Sequence, residues 1–114
     1  MDARHVLEES RTEGRVLRDL IPDVYAAMAQ LQRAAMLDGA LSNNVKELIA
    51  LAIAATRECD GCVAAHARTA VRAGATEAEV AEAMGVVIMM NGGPGTVWGP
   101  RGLAAFQEYL LDQQ

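Results

Sequence analysis

Aromatic side chains are nearly absent from this chain. Tyr25, Trp98, Phe106 and Tyr109 are the only four among 114 residues. Lysine is rarer still: Lys46 stands alone, and the nine arginines are scattered along the sequence. Ten cations against fifteen acids give a net charge of −5. With no run of Lys/Arg and an acidic balance, a nucleic-acid partner is not expected. Two cysteines are too few for a secreted disulfide scaffold. The longest apolar runs, residues 48–55 and 86–90, fall far short of the roughly 18–20 residues of a membrane span, so no membrane partner is expected. The N-terminus MDARHVLEES has no apolar stretch of the signal-peptide kind, which points to a cytoplasmic protein. Strand signals are also missing, because β-branched residues are few outside one run.

What the chain has in excess is alanine, twenty-two residues of it. Alanine is the strongest helix former. An all-α fold follows, as one domain of about five to six helices over residues 1–114, with residues 1–20 a helical extension and 22–110 the core. Small apolar side chains cover little area per helix, and a domain of this size buries only about two-thirds of its unfolded surface. Burial against copies of itself is therefore expected.

Helix punctuation is legible. Residues 2–20 form a charged, weakly amphipathic helix, and Pro22 suits the first turn of the next. There Val24, Met28, Leu31 and Ala35 recur on one face until Asp38-Gly39. Ser42, Asn43 and Asn44 are all N-cap residues. Residues 48–55 are apolar on every side, which predicts a helix buried all round. Gly74 stands where a helix C′ glycine belongs. Thr76 and Glu79 make a capping box, and Val80, Met84, Val87 and Ile88 line the helix that follows. NGGPG at 91–95 breaks that helix, and Gly99-Pro100 is expected to break the chain again before a last helix carrying Leu103, Phe106 and Leu110. His5 reads as a solvated surface residue, Met84, Met89 and Met90 as core or interface, and Trp98 as a pocket or interface residue.

Chemistry gathers at Cys59-Asp60-Gly61-Cys62. Two thiols three residues apart at a helix start can close a small disulfide ring. A helix N-terminus lowers thiol pKa, whereas the Asp60 carboxylate opposes thiolate. His66 lies one helical turn after Cys62, where an imidazole can take or return a proton. Glu47 heads the apolar helix. A turn near Glu58 would set it opposite Thr69 or Ala70, so it meets His66 only if the helices cross favourably. The alternatives stay open at this point. Cys59, Cys62, His66 and Glu47 could hold a zinc ion, the cysteines could be inert packing, and Asn44-x-x-Glu47 is itself a capping-box pattern.

Together Glu47, Cys59, Cys62 and His66 spell E-x11-C-x2-C-x3-H. With KELIALAIA before the cysteines and HARTAVRAGATEAEVAEA after them, the chain resembles the alkylhydroperoxidase D-like branch of the carboxymuconolactone decarboxylase family, from about residue 22 to 110. The resemblance implies thiol-dependent reduction of a hydroperoxide without a cofactor, an external thiol or disulfide electron donor, and a homo-oligomer, trimer or hexamer. It implies that Cys62 attacks peroxide and becomes a sulfenic acid, that Cys59 resolves it to a disulfide, and that Glu47 and His66 relay protons. In one respect the chain departs from the pattern: some relatives carry a relay histidine just before the second cysteine, where this chain has Gly61, so the implied relay is shorter. Decarboxylases of the wider family lack the cysteine pair. The rival readings are a non-enzymatic oligomer with a structural or sensory disulfide, and a metal-binding protein.

Overall fold

Six helices form in the computed structural model, which describes residues 1–113: α1 (Ala3–Leu20), α2 (Pro22–Met36), α3 (Asn43–Thr56), α4 (Asp60–Arg72), α5 (Glu77–Asn91) and α6 (Gly93–Asp112). No strand occurs among the described residues. Local chemistry sets most of the boundaries. The Asp2 carboxylate accepts the N–H of His5 at the head of α1. At the head of α5 the reciprocal Thr76/Glu79 capping box forms as the spacing predicts, and the Thr76 backbone N–H holds the Glu79 carboxyl below the usual carboxylate range. Gly74, at φ 84°, ends α4 in a Schellman turn: its own N–H reaches Val71 O, and the next N–H, from Ala75, reaches Ala70 O.

The core lies where α4 meets α1, α3 and α6, and where α5 closes on α3 and α6. Half of its buried apolar residues are alanines, eight of sixteen, so helix backbones approach closely. Leu51, Val63, Val80 and Phe106 are the large side chains fully enclosed there. The first turns of α1 belong to this packing. Ala3 is buried, its N–H donates to Glu108, and Val6 and Leu7 lie against the core.

Two expectations need correction. First, α3 is not buried all round. Glu47, Leu51, Ala54 and Ala55 face the core, but Ile49 and Ile53 are exposed, because α4, α5 and α6 cover only one side. Second, Gly99-Pro100 does not interrupt the last helix. α6 runs unbroken from Gly93 to Asp112 with Pro100 inside it. Proline removes one helical N–H and costs about 3 kcal/mol or more in a helix interior. That cost is met by packing on the opposite side, where Gly95, Gly99 and Gly102 are buried. A Cβ on Gly95 would fall 2.7 Å from the Ile88 Cα and 2.8 Å from the Val87 carbonyl oxygen, and one on Gly102 would fall 2.6 Å from the Met84 sulfur. The glycines therefore let α6 lie directly on α5. Only Gly92, at φ 64°, separates these two helices. Of the three methionines read as core or interface, Met84 is in the core, while Met89 and Met90 are each 72% exposed on the single chain.

α2 has no buried residue, and among the described residues it touches only α1 and α3. Its regular apolar face, Val24, Met28 and Leu31, stands open to solvent. Val16, Leu17 and Leu20 at the end of α1 are likewise exposed.

Candidate active site

The turn between α3 and α4 places the two cysteines. α3 ends in the same Schellman arrangement as α4, with Cys59 N–H reaching Ala54 O and Glu58 N–H reaching Ala55 O. Here the left-handed residue is Glu58 (φ 53°) instead of a glycine. A non-glycine residue in that region costs roughly 1–2 kcal/mol. No glycine marks this turn in the sequence, although it delivers Cys59 to the N-cap of α4.

Cys59 caps α4 with its sulfur, which accepts the backbone N–H of Cys62 at 3.3 Å. Cys59 and Cys62 form a disulfide, with Cα atoms 5.2 Å apart. Cys62 is exposed and Cys59 partly so. The Asp60 carboxylate accepts the N–H of Gly61, so its charge is engaged by the helix start.

One turn along α4, His66 meets Glu47 of α3. The His66 Nδ1 lies 3.0 Å from Glu47 Oε2. The same carboxylate oxygen accepts the Thr69 hydroxyl at 2.6 Å. Ala65 and His66 carbonyls are each 3.2 Å from that hydroxyl, but it has one proton, and the shorter bond, to Glu47, takes it. The helices thus cross so that Glu47 engages both its predicted opposite, Thr69, and His66. Thr69 is the member of the chain that sequence reasoning did not assign a role, although its place three residues after His66 puts it on the same face.

The capping-box reading of Glu47 falls. Ser42 caps α3 through its side chain, accepting from Val45 N–H, so Asn44 is already inside the helix and Glu47 is free to point inward. Glu47 is 5% exposed and is the only buried charged residue among those described. A buried carboxylate must be hydrogen-bonded to be tolerated. Its two partners provide that.

Cys59, Cys62 and His66 line one cavity of about 610 Å³ together with Ala50, Ile53, Ala54 and Arg57. Among the described residues no group of three or more His, Cys, Asp or Glu is arranged to hold a metal. With Nδ1 engaged by Glu47, the other ring nitrogen of His66 makes no hydrogen bond among the described residues. An imidazole held this way donates through Nδ1 and presents a basic nitrogen at Nε2. The arrangement is a disulfide-bonded cysteine pair, a buried carboxylate and an oriented imidazole beside an apolar cleft.

Comparison with known proteins agrees with the fold and its residues. An uncharacterized protein of Cupriavidus necator is 37% identical over 105 residues, covering 92% of this chain and 93% of that protein. Uncharacterized protein 4 in the cox locus of Paracoccus denitrificans is 34% identical over 88 residues, 77% of each chain. The crystal structure of an apo carboxymuconolactone decarboxylase family protein from Legionella pneumophila superposes with a TM-score of 0.91 at 34% identity, over 95% of this chain and 96% of that one. The model of the carboxymuconolactone decarboxylase family matches residues 22–105. The chain belongs to the carboxymuconolactone decarboxylase family.

Proposed function

We propose that this protein is a thiol-dependent peroxidase of the alkylhydroperoxidase D-like type. The observation that carries the reading is the shared cavity: the Cys59–Cys62 pair and the Glu47-oriented His66 line the same apolar cleft. In the reduced enzyme His66 takes the Cys62 proton. The Cys62 thiolate attacks the distal oxygen of a hydroperoxide, the O–O bond breaks, and the alcohol leaves with the proton returned by His66. Cys62 is now a sulfenic acid. The Cys59 thiol attacks its sulfur, a disulfide forms and water leaves.

The cycle closes when a donor dithiol of the reducing cytoplasm attacks the disulfide. Cys62 is the more exposed of the two cysteines, and the Cys59 sulfur accepts the Cys62 N–H. Attack on Cys62 expels Cys59 as a thiolate, whose sulfur the Cys62 N–H faces. The donor is oxidised and the pair is reduced.

Glu47→Gln tests the relay. Glutamine keeps the size and can still accept from Thr69, but its amide replaces the carboxylate that holds His66 Nδ1. The single-turnover rate of thiol loss with an organic hydroperoxide is expected to fall about 10²-fold, with folding retained. A rate within twofold of the parent would remove Glu47 from the relay.

The assembly belongs to the same proposal. Val24, Met28 and Leu31 on α2, with Leu17 and Leu20 on α1, are large apolar side chains left exposed on the single chain, and an exposed apolar patch marks an interaction surface. Copies of the chain cover it in a homo-oligomer, a trimer or hexamer. Leu31→Glu is expected to move the protein to a smaller assembly in sedimentation, and a parent that sediments as a monomer would end this part of the reading.

A further inference from the structure

The arginines that are scattered in sequence are gathered by the fold. Arg11, Arg15 and Arg18 recur at i, i+4 and i+7 on α1. Arg68 and Arg72 stand one turn apart on α4, against which α1 packs. These five and Arg4 put six of the ten cationic side chains of an acidic chain on two neighbouring helices. Among the described residues none of these five has a carboxylate within ion-pair distance, whereas Arg4 beside them is held by Glu108 and Asp112. Arg68 is partly buried, and burial, with Arg11 and Arg72 adding to it, pushes its guanidinium below the usual arginine value.

Two clefts open on this surface. One, of about 430 Å³, is lined by Arg4, Arg11, Arg15 and Arg68, with Glu8 as its only carboxylate. The other, of about 420 Å³, is lined by Ser10, Arg11, Arg15, Arg18 and Tyr25 and has no carboxylate. Arg11 and Arg15 are common to both. Neither cleft shares a residue with the cavity of the cysteines.

Like charges crowded without counter-charges repel, and an anion between them relieves the repulsion. Concave surfaces of one sign focus the field on small ions. The guanidinium fork matches the geometry of a phosphate or carboxylate oxygen pair. Because the shared arginines link two adjoining clefts, the ligand that uses the surface fully has two linked anionic groups. We propose that the α1–α4 surface is a binding site for a small ligand carrying two adjoining phosphate-type groups, of which a diphosphate is the simplest. Glu8 makes the first cleft the weaker half for an anion.

Calorimetric titration of the full chain with pyrophosphate, inorganic phosphate and a short DNA duplex, at matched ionic strength, tests this. Pyrophosphate is expected to bind one per chain and at least about tenfold more tightly than phosphate. Arg11→Gln and Arg68→Gln are each expected to weaken it about fivefold or more. Arg33→Gln, on α2, should leave it unchanged. Arg11 is exposed, so its variant keeps the test decisive if Arg68→Gln does not fold. Equal affinity for phosphate and pyrophosphate would overturn the proposal. So would insensitivity to Arg11→Gln, an equal loss with Arg33→Gln, or tighter binding of the DNA duplex. Thiol loss with hydroperoxide reports separately on the cysteine site.

Discussion

Cys62→Ser is expected to abolish the reaction with hydroperoxide, while Cys59→Ser is expected to react once and stop. In the first variant the remaining Cys59 thiol caps α4 and has no imidazole one turn away. Peroxide should leave it largely unreacted over a time in which the parent loses both thiols. In the second, Cys62 keeps His66 and its exposed position but has no resolving partner. It should accumulate a sulfenic acid that a dimedone-type probe captures, one per chain by mass spectrometry. The same variant should hold a mixed disulfide with a donor thiol on Cys62. The expected contrast is large, at least 10²-fold in the rate of peroxide consumption, because thiolate formation and its proton relay are lost together. Capture of the sulfenic acid on Cys59 in the Cys62→Ser variant would reverse the assignment. Two thiols that both survive peroxide in folded parent protein would end the peroxidase reading and favour a structural or sensory disulfide.

Gly95→Ala is expected to destabilise the fold by about 2 kcal/mol or more, and to lower Tm on the order of 10 °C. The new methyl group would meet backbone on both near sides, the Ile88 Cα at 2.7 Å and the Val87 carbonyl at 2.8 Å. Backbone cannot rotate away as a side chain can, so α6 must lift from α5. Gly102→Ala is milder in kind, since its nearest neighbour is the Met84 sulfur, on a flexible side chain. The control is Gly85→Ala in the middle of α5. Nothing lies within 4 Å of its Cβ position, and alanine is the better helix former by roughly 0.5–1 kcal/mol. Gly85→Ala should therefore raise Tm slightly. Thermal unfolding of the two variants side by side checks the argument. A Gly95→Ala protein as stable as the parent would mean that the α5–α6 contact is looser than described.

These two experiments probe different layers of what could be read in advance. The cysteine pair, its place at a helix start and the position of His66 one turn on depend on spacing within one helix. Periodicity alone is enough for that. The Thr76/Glu79 box and the Gly74 turn are similarly local, and both form as the residues dictate. Glu58 shows where that legibility fails. It takes the conformation glycine favours because the α3–α4 packing demands a reversal there.

The sequence by itself determined an all-helical chain, the Thr76/Glu79 box and the Gly74 turn, the E/C/C/H pattern and the family resemblance, because those follow from residue types and spacing along the chain. Tertiary structure decided the rest, because it depends on which surfaces meet. Ser42 takes the cap of α3 and frees Glu47, and the α3–α4 crossing then puts His66 and Thr69 on one carboxylate oxygen. Contact with α5 keeps α6 continuous through Pro100 and turns its glycines from breaks into a packing face. Where helices cover only one side of α3, Ile49 and Ile53 stay exposed. Arginines fifty residues apart come to share a cleft for the same reason: α1 folds back onto α4, and sequence separation ceases to matter.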